Sequence, residues 1–410
     1  MMTTRTSPTL IGAAIVSSCL ALTACSSGGD AGEGSASGEV SSITVVDTYT
    51  DSPDKEIYQG VLEECAAEVG VGLDRQTIPN QNLISKVLQM SSSKTLPDLL
   101  MLDNPDVQQI AATGALTPVT DFGLSGDGFT QGVLDASTYD GDLYALQPVT
   151  NTLALFYNKD LFEAAGVEVP TDWTELRAAA EALTGGDTYG LAFSANASFE
   201  GTWQFLPFMW SAGAQEDDLT SDAAVEALTL WADLVQGGSA SASVVNWSQA
   251  DVNDQFVAGK AAMMINGPWQ LSLLADAGTN FGIAPVPGPQ KGDTAVAPLG
   301  GEAWTLPQTG DAARQQAAAD VLGCLTSDDN QVDLSEQRNT LPTKTAALGT
   351  FNGSHPELQA FSDLIIDARA RTALLGDEWP SAATQIYTAI QSALVGGLTP
   401  AEALAQAVNG

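Results

Sequence analysis

The stretch ITVVDTYTDSPDKEIYQGVLEECAAEVGVGLDRQTIPNQNLISKVLQMSSSKTLPDLLML, residues 43–102, decides the fold class. Residues 43–46 are a short β-branched run suited to a strand. Ile57, Val61, Cys65 and Val69 recur four apart, which is one face of a helix over residues 55–69. Residues 73–78 read as a second strand stopped by Pro79, and Leu83, Val87, Leu88 and Met90 mark a second helix. Residues 98–102 carry an unbroken apolar run, the pattern of a parallel strand buried on both faces. A helix through residues 108–112 follows, with Gly114 as its stop. The alternation predicts an α/β fold in which helices cover both faces of a mostly parallel sheet.

Working outward, the alternation resumes after Val149. Strands are expected at 154–157, 189–193, 261–265 and 281–285. Helices are expected at 159–165, at 173–183 with Thr171 as cap and Glu175 in the first turn, at 203–210, at 223–235 and around 252–257. The last third reads as helical and closes on Thr399-Pro400-Ala401-Glu402, a capping box with proline at the first helical position. Trp173, Trp210 and Trp231 sit at helical spacing among Leu and Ala and read as core.

Composition narrows the function classes. The chain has 410 residues, 14 Lys+Arg against 50 Asp+Glu and a net charge of −36, which argues against nucleic acid and against charge-driven adhesion to anionic lipid. Its 8 Trp and 12 Phe supply a core, and its length suggests two domains or lobes. The lone histidine, His355, is too little for a zinc enzyme, and no cofactor is expected. Residues 1–24 read as a signal peptide, because the apolar stretch 10–22 would span only about 20 Å of a bilayer's ~30 Å core. Leu22-Thr23-Ala24-Cys25 resembles a bacterial lipobox with Cys25 as the lipidated residue; the competing reading is an ordinary cleavage site with an incidental cysteine. Residues 26–42 hold 11 Gly or Ser and no aromatic, so residues 25–42 read as a lipidated cysteine and a flexible tether. Cys65 and Cys324 remain in the body, where pairing and two buried thiols are equally open.

Several segments then resemble, in order, the extracellular solute-binding proteins of ABC importers, in the sugar-binding cluster around maltose-binding protein. They are Leu96-Pro97-Asp98-Leu99-Leu100-Met101, Ala154-Leu155-Phe156-Tyr157-Asn158-Lys159-Asp160-Leu161, Pro170-Thr171-Asp172-Trp173, Phe256-Val257-Ala258-Gly259-Lys260-Ala261-Ala262-Met263 and Ile265-Asn266-Gly267-Pro268-Trp269. Leu325-Thr326-Ser327 and Thr399-Pro400-Ala401-Glu402-Ala403-Leu404 close the series. The resemblance implies a two-lobed periplasmic-binding-protein-like fold. Its N-terminal lobe would be residues 42–150 plus 298–352, and its C-terminal lobe 151–297 plus 353–410. A carbohydrate would sit in the cleft and the lobes would close on it by a hinge. The implied partners are two transmembrane permease subunits with a cytoplasmic ATPase. The implied setting is a monomer held on the extracellular face of the cytoplasmic membrane by its N-terminal lipid alone. Both Cys65 and Cys324 would fall on helices of the first lobe, which favours a disulfide.

Holding a sugar needs flat aromatic faces for its C–H surfaces and fixed carboxylates and amides for its hydroxyls. The resemblance points first to Trp269, because the family's Gly-Pro-Trp presents its indole to the sugar. Asp103 and Asn104 follow the third strand at its carboxyl end, where such sheets bind ligands, although turn and helix-cap chemistry explains them equally. Leu102 stands where the family has an aromatic. The resemblance adds Asn151 at a crossover, Glu200, and Trp379 in a Gly376-Asp377-Glu378-Trp379-Pro380 loop, with Trp304 and Asp51 as weaker candidates. A glycoside hydrolase built on paired acids and a surface lectin without a transport role are the alternatives. No Gly-x-Ser-x-Gly elbow or P-loop is present.

Overall fold

Leu99–Asp103 shows why this chain makes a two-faced sheet. Leu99 and Met101 enter one core cluster while Leu100 and Leu102 enter another on the opposite face, all four fully buried. Each such side chain contributes about 1.5–3 kcal/mol by leaving water. The first cluster is closed by the helices Asp54–Val69 and Ala312–Leu325, through Tyr58, Leu62, Val321 and Leu322. The second is closed by Asn80–Ser93 and Asp106–Ala112, through Leu83, Val87, Val107 and Ile110. The coordinates are a computed structural model that describes residues 40–293 and 296–410. The signal peptide, Cys25 and the tether up to residue 39 lie outside the described residues.

The larger sheet runs Gly72–Thr77, Ser42–Asp47, Leu99–Asp103, Glu302–Pro307, Leu116–Thr117, with Ala145–Leu146 also pairing on Glu302–Pro307. The three early strands are parallel. Glu302–Pro307 is antiparallel to Leu99–Asp103, setting Glu302 opposite Asp103 and Trp304 opposite Met101. The smaller sheet runs Tyr189–Ala192, Ala261–Asn266, Ala154–Asn158, Phe281–Ala284, with only its first pair parallel. Phe156 and Met264 face the first core cluster, and Leu155, Met263 and Ile265 face a third built with Phe205, Trp231 and Ile386. Trp173, Trp210 and Trp231 are core residues of that third cluster, as their spacing indicates.

Three expectations are corrected. Neither sheet is mostly parallel, because every pairing of Glu302–Pro307 and both pairings of Ala154–Asn158 are antiparallel. The last third is not wholly helical, because Glu302–Pro307 is an interior strand whose Trp304 packs beneath Tyr58 at 5.8 Å between ring centroids. The cap of Trp173–Ala182 is Asp172, which accepts from the Glu175 amide, while the Glu175 carboxylate reaches back to Thr171. The closing capping box forms as read, with Thr399 and Glu402 bonded reciprocally.

Three chain segments pass side by side between the two sheets. Gly300 N donates to Asn151 O (2.9 Å) and Thr152 Oγ1 to Pro298 O (2.7 Å), joining the first crossover to the second. Leu299 N donates to Arg369 O and Arg369 N to Ala297 O, both at 2.8 Å, joining the second to the third. Cys65 and Cys324 are disulfide-bonded, tying helix Asp54–Val69 to helix Ala312–Leu325. Among the described residues no helix is long and apolar enough to cross a membrane.

Candidate functional site

At the junction of the two sheets, side chains from four distant segments meet. Trp269 comes from the short turn Pro268–Gln270 that ends strand Ala261–Asn266, and Trp203 from helix Phe199–Ser211. Their rings lie 5.7 Å apart and 22° from parallel, with Trp203 buried and Trp269 half-buried. The Arg371 guanidinium lies over the Trp203 ring at 5.7 Å. Its Nη2 donates to Asp103 Oδ1 (2.7 Å) and to Asn104 Oδ1 (3.0 Å), and its Nη1 to Asp103 Oδ2 (3.1 Å). The row Trp269, Trp203, Arg371, Asp103 therefore runs from the smaller sheet to the larger without a break. Arg371 and Asp103 offset each other's charge, and charge-assisted two-point bonds of this kind hold the carboxylate in one orientation.

Local sequence explains the placement of Trp269. A Cβ on Gly267 would collide with Cζ3, Cη2 and Cε3 of the Trp269 ring, so the indole lies directly over the glycine backbone. Gly267→Ala is expected to lift the ring and weaken solute binding by at least about threefold, measured by calorimetry. Asn151 is held similarly. A Cβ on Gly300 would meet Asn151 Oδ1 and Trp203 Cζ2, so the amide and the indole both press on the crossover backbone. Asn151 Oδ1, Trp203 Nε1 and Arg371 Nε are buried with no hydrogen-bond partner among the described residues. Such atoms are costly unless something polar meets them.

The other predicted residues fare differently. Glu200 is half-buried in the first turn of helix Phe199–Ser211, where its Oε1 accepts from Ser194 Oγ (2.9 Å), Asn196 Nδ2 (2.9 Å) and Gln249 N (3.0 Å). Burial pushes its carboxyl above the usual range, against those bonds. Asp51 is exposed in the loop before helix Asp54–Val69 and takes the Thr50 hydroxyl at 2.8 Å, none of the cluster's groups among the described residues. Trp304 and Trp379 depart from expectation, at 0% and 1% exposed. Trp304 is an interior strand residue. Trp379 does not sit in a loop but opens helix Trp379–Leu394, with Pro380 in the first turn, and packs into the third core cluster. Neither offers a face to a solute here.

Sequence reasoning missed Trp203 and Arg371. Trp203 carries no local mark that separates it from the core tryptophans. Arg371 reaches Asp103 across 268 residues of chain, a distance no spacing rule covers. Its one local signal is scarcity: arginines at 369 and 371 stand two apart in a chain with 14 basic residues in all. Beside Arg371, a cavity of about 500 Å³ is lined by Gln108, Asp140, Thr372 and Leu374 among others. A second, about 440 Å³, lies at the opposite ends of the strands around Thr44, Asp74, Asp98 and Arg314, away from this cluster.

Residues 60–360 match the family of bacterial extracellular solute-binding proteins. The chain is 26% identical over 365 residues to the maltooligosaccharide ABC transporter solute-binding lipoprotein of Streptococcus pneumoniae, covering 86% of this chain and 84% of that one. Among solved structures, it is similar to the GacH receptor of Streptomyces glaucescens, solved unliganded and with acarbose (TM-score 0.77, 26% identity, 90% of this chain and 97% of that one). It is also similar to the cyclic alpha-maltosyl-1,6-maltose binding protein of Arthrobacter globiformis (TM-score 0.76, 27% identity, 90% and 98%). The glycoside hydrolase and lectin readings find no support among these relatives, which are binding proteins. With two sheets bridged by three crossovers and a family match over most of its length, the chain belongs to the bacterial extracellular solute-binding proteins, a two-lobed fold that binds rather than reacts.

Proposed function

We propose that this protein captures a saccharide between its lobes and delivers it to an ABC importer. The observation that carries the reading is the half-buried Trp269 indole, stacked on Trp203 and followed by Asp103 and Asn104 in the grip of Arg371. An indole face buries the C–H surface of a pyranose, and the fixed oxygens take its hydroxyls. Because Arg371 and Asp103 neutralise each other, the site suits an uncharged guest. Asn151 adds an amide at the crossover. A relative named for maltooligosaccharides and a similar structure solved with acarbose support this chemistry.

The lobes would be residues 42–150 with 298–352 and residues 151–297 with 353–410, boundaries supported by the crossovers at Asn151 and Gly300. The closed form must bind the sugar better than the open one, since a ligand shifts only an equilibrium whose states it distinguishes. Closure would present both lobes to two permease subunits driven by a cytoplasmic ATPase. Cys25, in its lipobox-like setting, would anchor the monomer to the outer face of the cytoplasmic membrane, as the lipoprotein name of the pneumococcal relative supports.

Calorimetry over a panel of mono-, di- and oligosaccharides tests the reading. At least one neutral sugar is expected to bind, and Trp269→Ala to weaken it at least about tenfold, or about 1.4 kcal/mol. Unchanged affinity in that variant removes Trp269 from the site. A panel without any binder removes the saccharide.

A further inference from the structure

The third crossover carries two arginines, Arg369 paired to the smaller-sheet lobe and Arg371 ion-paired to the larger-sheet lobe while lying over Trp203 of the smaller, and we propose that they form a strap setting the resting angle between the lobes. Arg371 is in addition the positioning residue for Asp103 and Asn104. The second half of this inference rests on the sugar-site reading above; the first half does not.

The strap is seen in four sets of contacts. The backbone at Arg369 is bonded on both sides to the second crossover, at Ala297 and Leu299. The Arg369 side chain turns to the smaller-sheet lobe, where Nη2 donates to Glu216 Oε2 at 2.8 Å and the guanidinium lies 4.5 Å over the Trp210 ring. That Glu216 side chain is fully buried. Two residues on, the 5%-exposed Arg371 side chain turns to the larger-sheet lobe and binds Asp103 and Asn104. A rotation of the lobes about the crossovers must load one pair or the other. Losing one partner of a buried pair leaves an unpaired charge, so the strap resists that rotation.

The fork geometry matters as well as the charge. Arg371 uses two nitrogens on three oxygens, an arrangement a lysine ammonium on a flexible stem does not reproduce. Asp103 and Asn104 thereby meet a sugar already oriented, and less side-chain freedom is lost on binding. Arg369 touches none of these groups, so any effect it has on affinity must travel through the strap.

The test uses Arg369→Met, Arg371→Met and Arg371→Lys in the full mature chain. Amide hydrogen exchange and small-angle X-ray scattering are recorded without sugar, and maltotriose affinity is measured by calorimetry. Both methionine variants are expected to speed exchange at Leu299 and Gly300 about tenfold, to leave strand Leu99–Asp103 protected, and to raise the radius of gyration. Maltotriose affinity is expected to fall at least about tenfold in Arg371→Met, several-fold in Arg369→Met, and by an intermediate amount in Arg371→Lys. An Arg369→Met protein with wild-type exchange and scattering overturns the strap. An Arg371→Lys protein with wild-type affinity overturns the positioning role. If Arg371→Met does not fold, the other two variants decide both points. If the wild type binds no maltotriose or other sugar, the saccharide reading falls, and exchange and scattering alone uphold or sink the strap.

Discussion

Replacing Cys65 and Cys324 together by alanine is expected to lower the folded state's stability by about 5–6 kcal/mol, which for a body of this size is a melting-temperature drop of about 7 °C. The magnitude follows from chain entropy. The bond joins residues 259 apart, and closing so long a loop removes far more freedom from the unfolded chain than a short one would. Position adds to length. Helix Asp54–Val69 belongs to the first pass of the chain through the larger-sheet lobe and helix Ala312–Leu325 to the second, with the smaller-sheet strands between. The cross-link therefore fastens the returning segment, and with it the interior strand Glu302–Pro307, to the part that folds from local βα units. Thermal unfolding with and without dithiothreitol checks this. Wild type should lose the same stability on reduction, and the double variant should be indifferent to the reductant. A wild type unmoved by full reduction contradicts the loop-entropy account.

That cross-link also marks the boundary of what the sequence discloses. Residues 43–102 spell out strand, helix, strand, helix, strand because each element's pattern is local, four-residue spacing for Ile57 to Val69 and an unbroken apolar run for Leu99 to Leu102. Glu302–Pro307 escaped because six residues beginning with an acid and ending in proline show neither period, and its place in the sheet is set by partners 200 residues earlier. The same limit governs the site. The placement of Trp269 is set by its own neighbours, Gly267 and Pro268. Trp379 and Trp304 have glycine and acid neighbours that look like loop chemistry, yet tertiary packing buries both. Arg371 acquires its role only when the third crossover lies beside the first two. Local grammar gives the elements, and the contacts that make a cleft are written in residues far apart.

Asp106→Asn should stabilise the protein at pH 8 by on the order of 2–4 kcal/mol and have almost no effect near pH 4. Asp106 opens helix Asp106–Ala112 next to the cluster and is 7% exposed. Its carboxyl is pushed up to about 7, first by burial, then by the negative charge of Asp103, with Arg371 acting in the opposite direction. An acid whose folded pKa lies above its unfolded value keeps a proton the unfolded chain has already released. Its stabilising preference is complete below the unfolded pKa, near 4, and is lost as the pH climbs to about 7. Above that, the folded protein carries an ionised, buried group that asparagine does not impose. Urea unfolding of both proteins at pH 4.5, 6 and 8 should show the gap opening as pH rises; a constant gap would mean the amide acts by packing alone. The same ionisation places a second negative charge near the Asp103–Arg371 pair as the pH passes 7. If Asp103 and Asn104 hold the sugar as proposed, affinity in the wild type should decline across that range and in the asparagine variant it should stay level, because the variant never adds that charge.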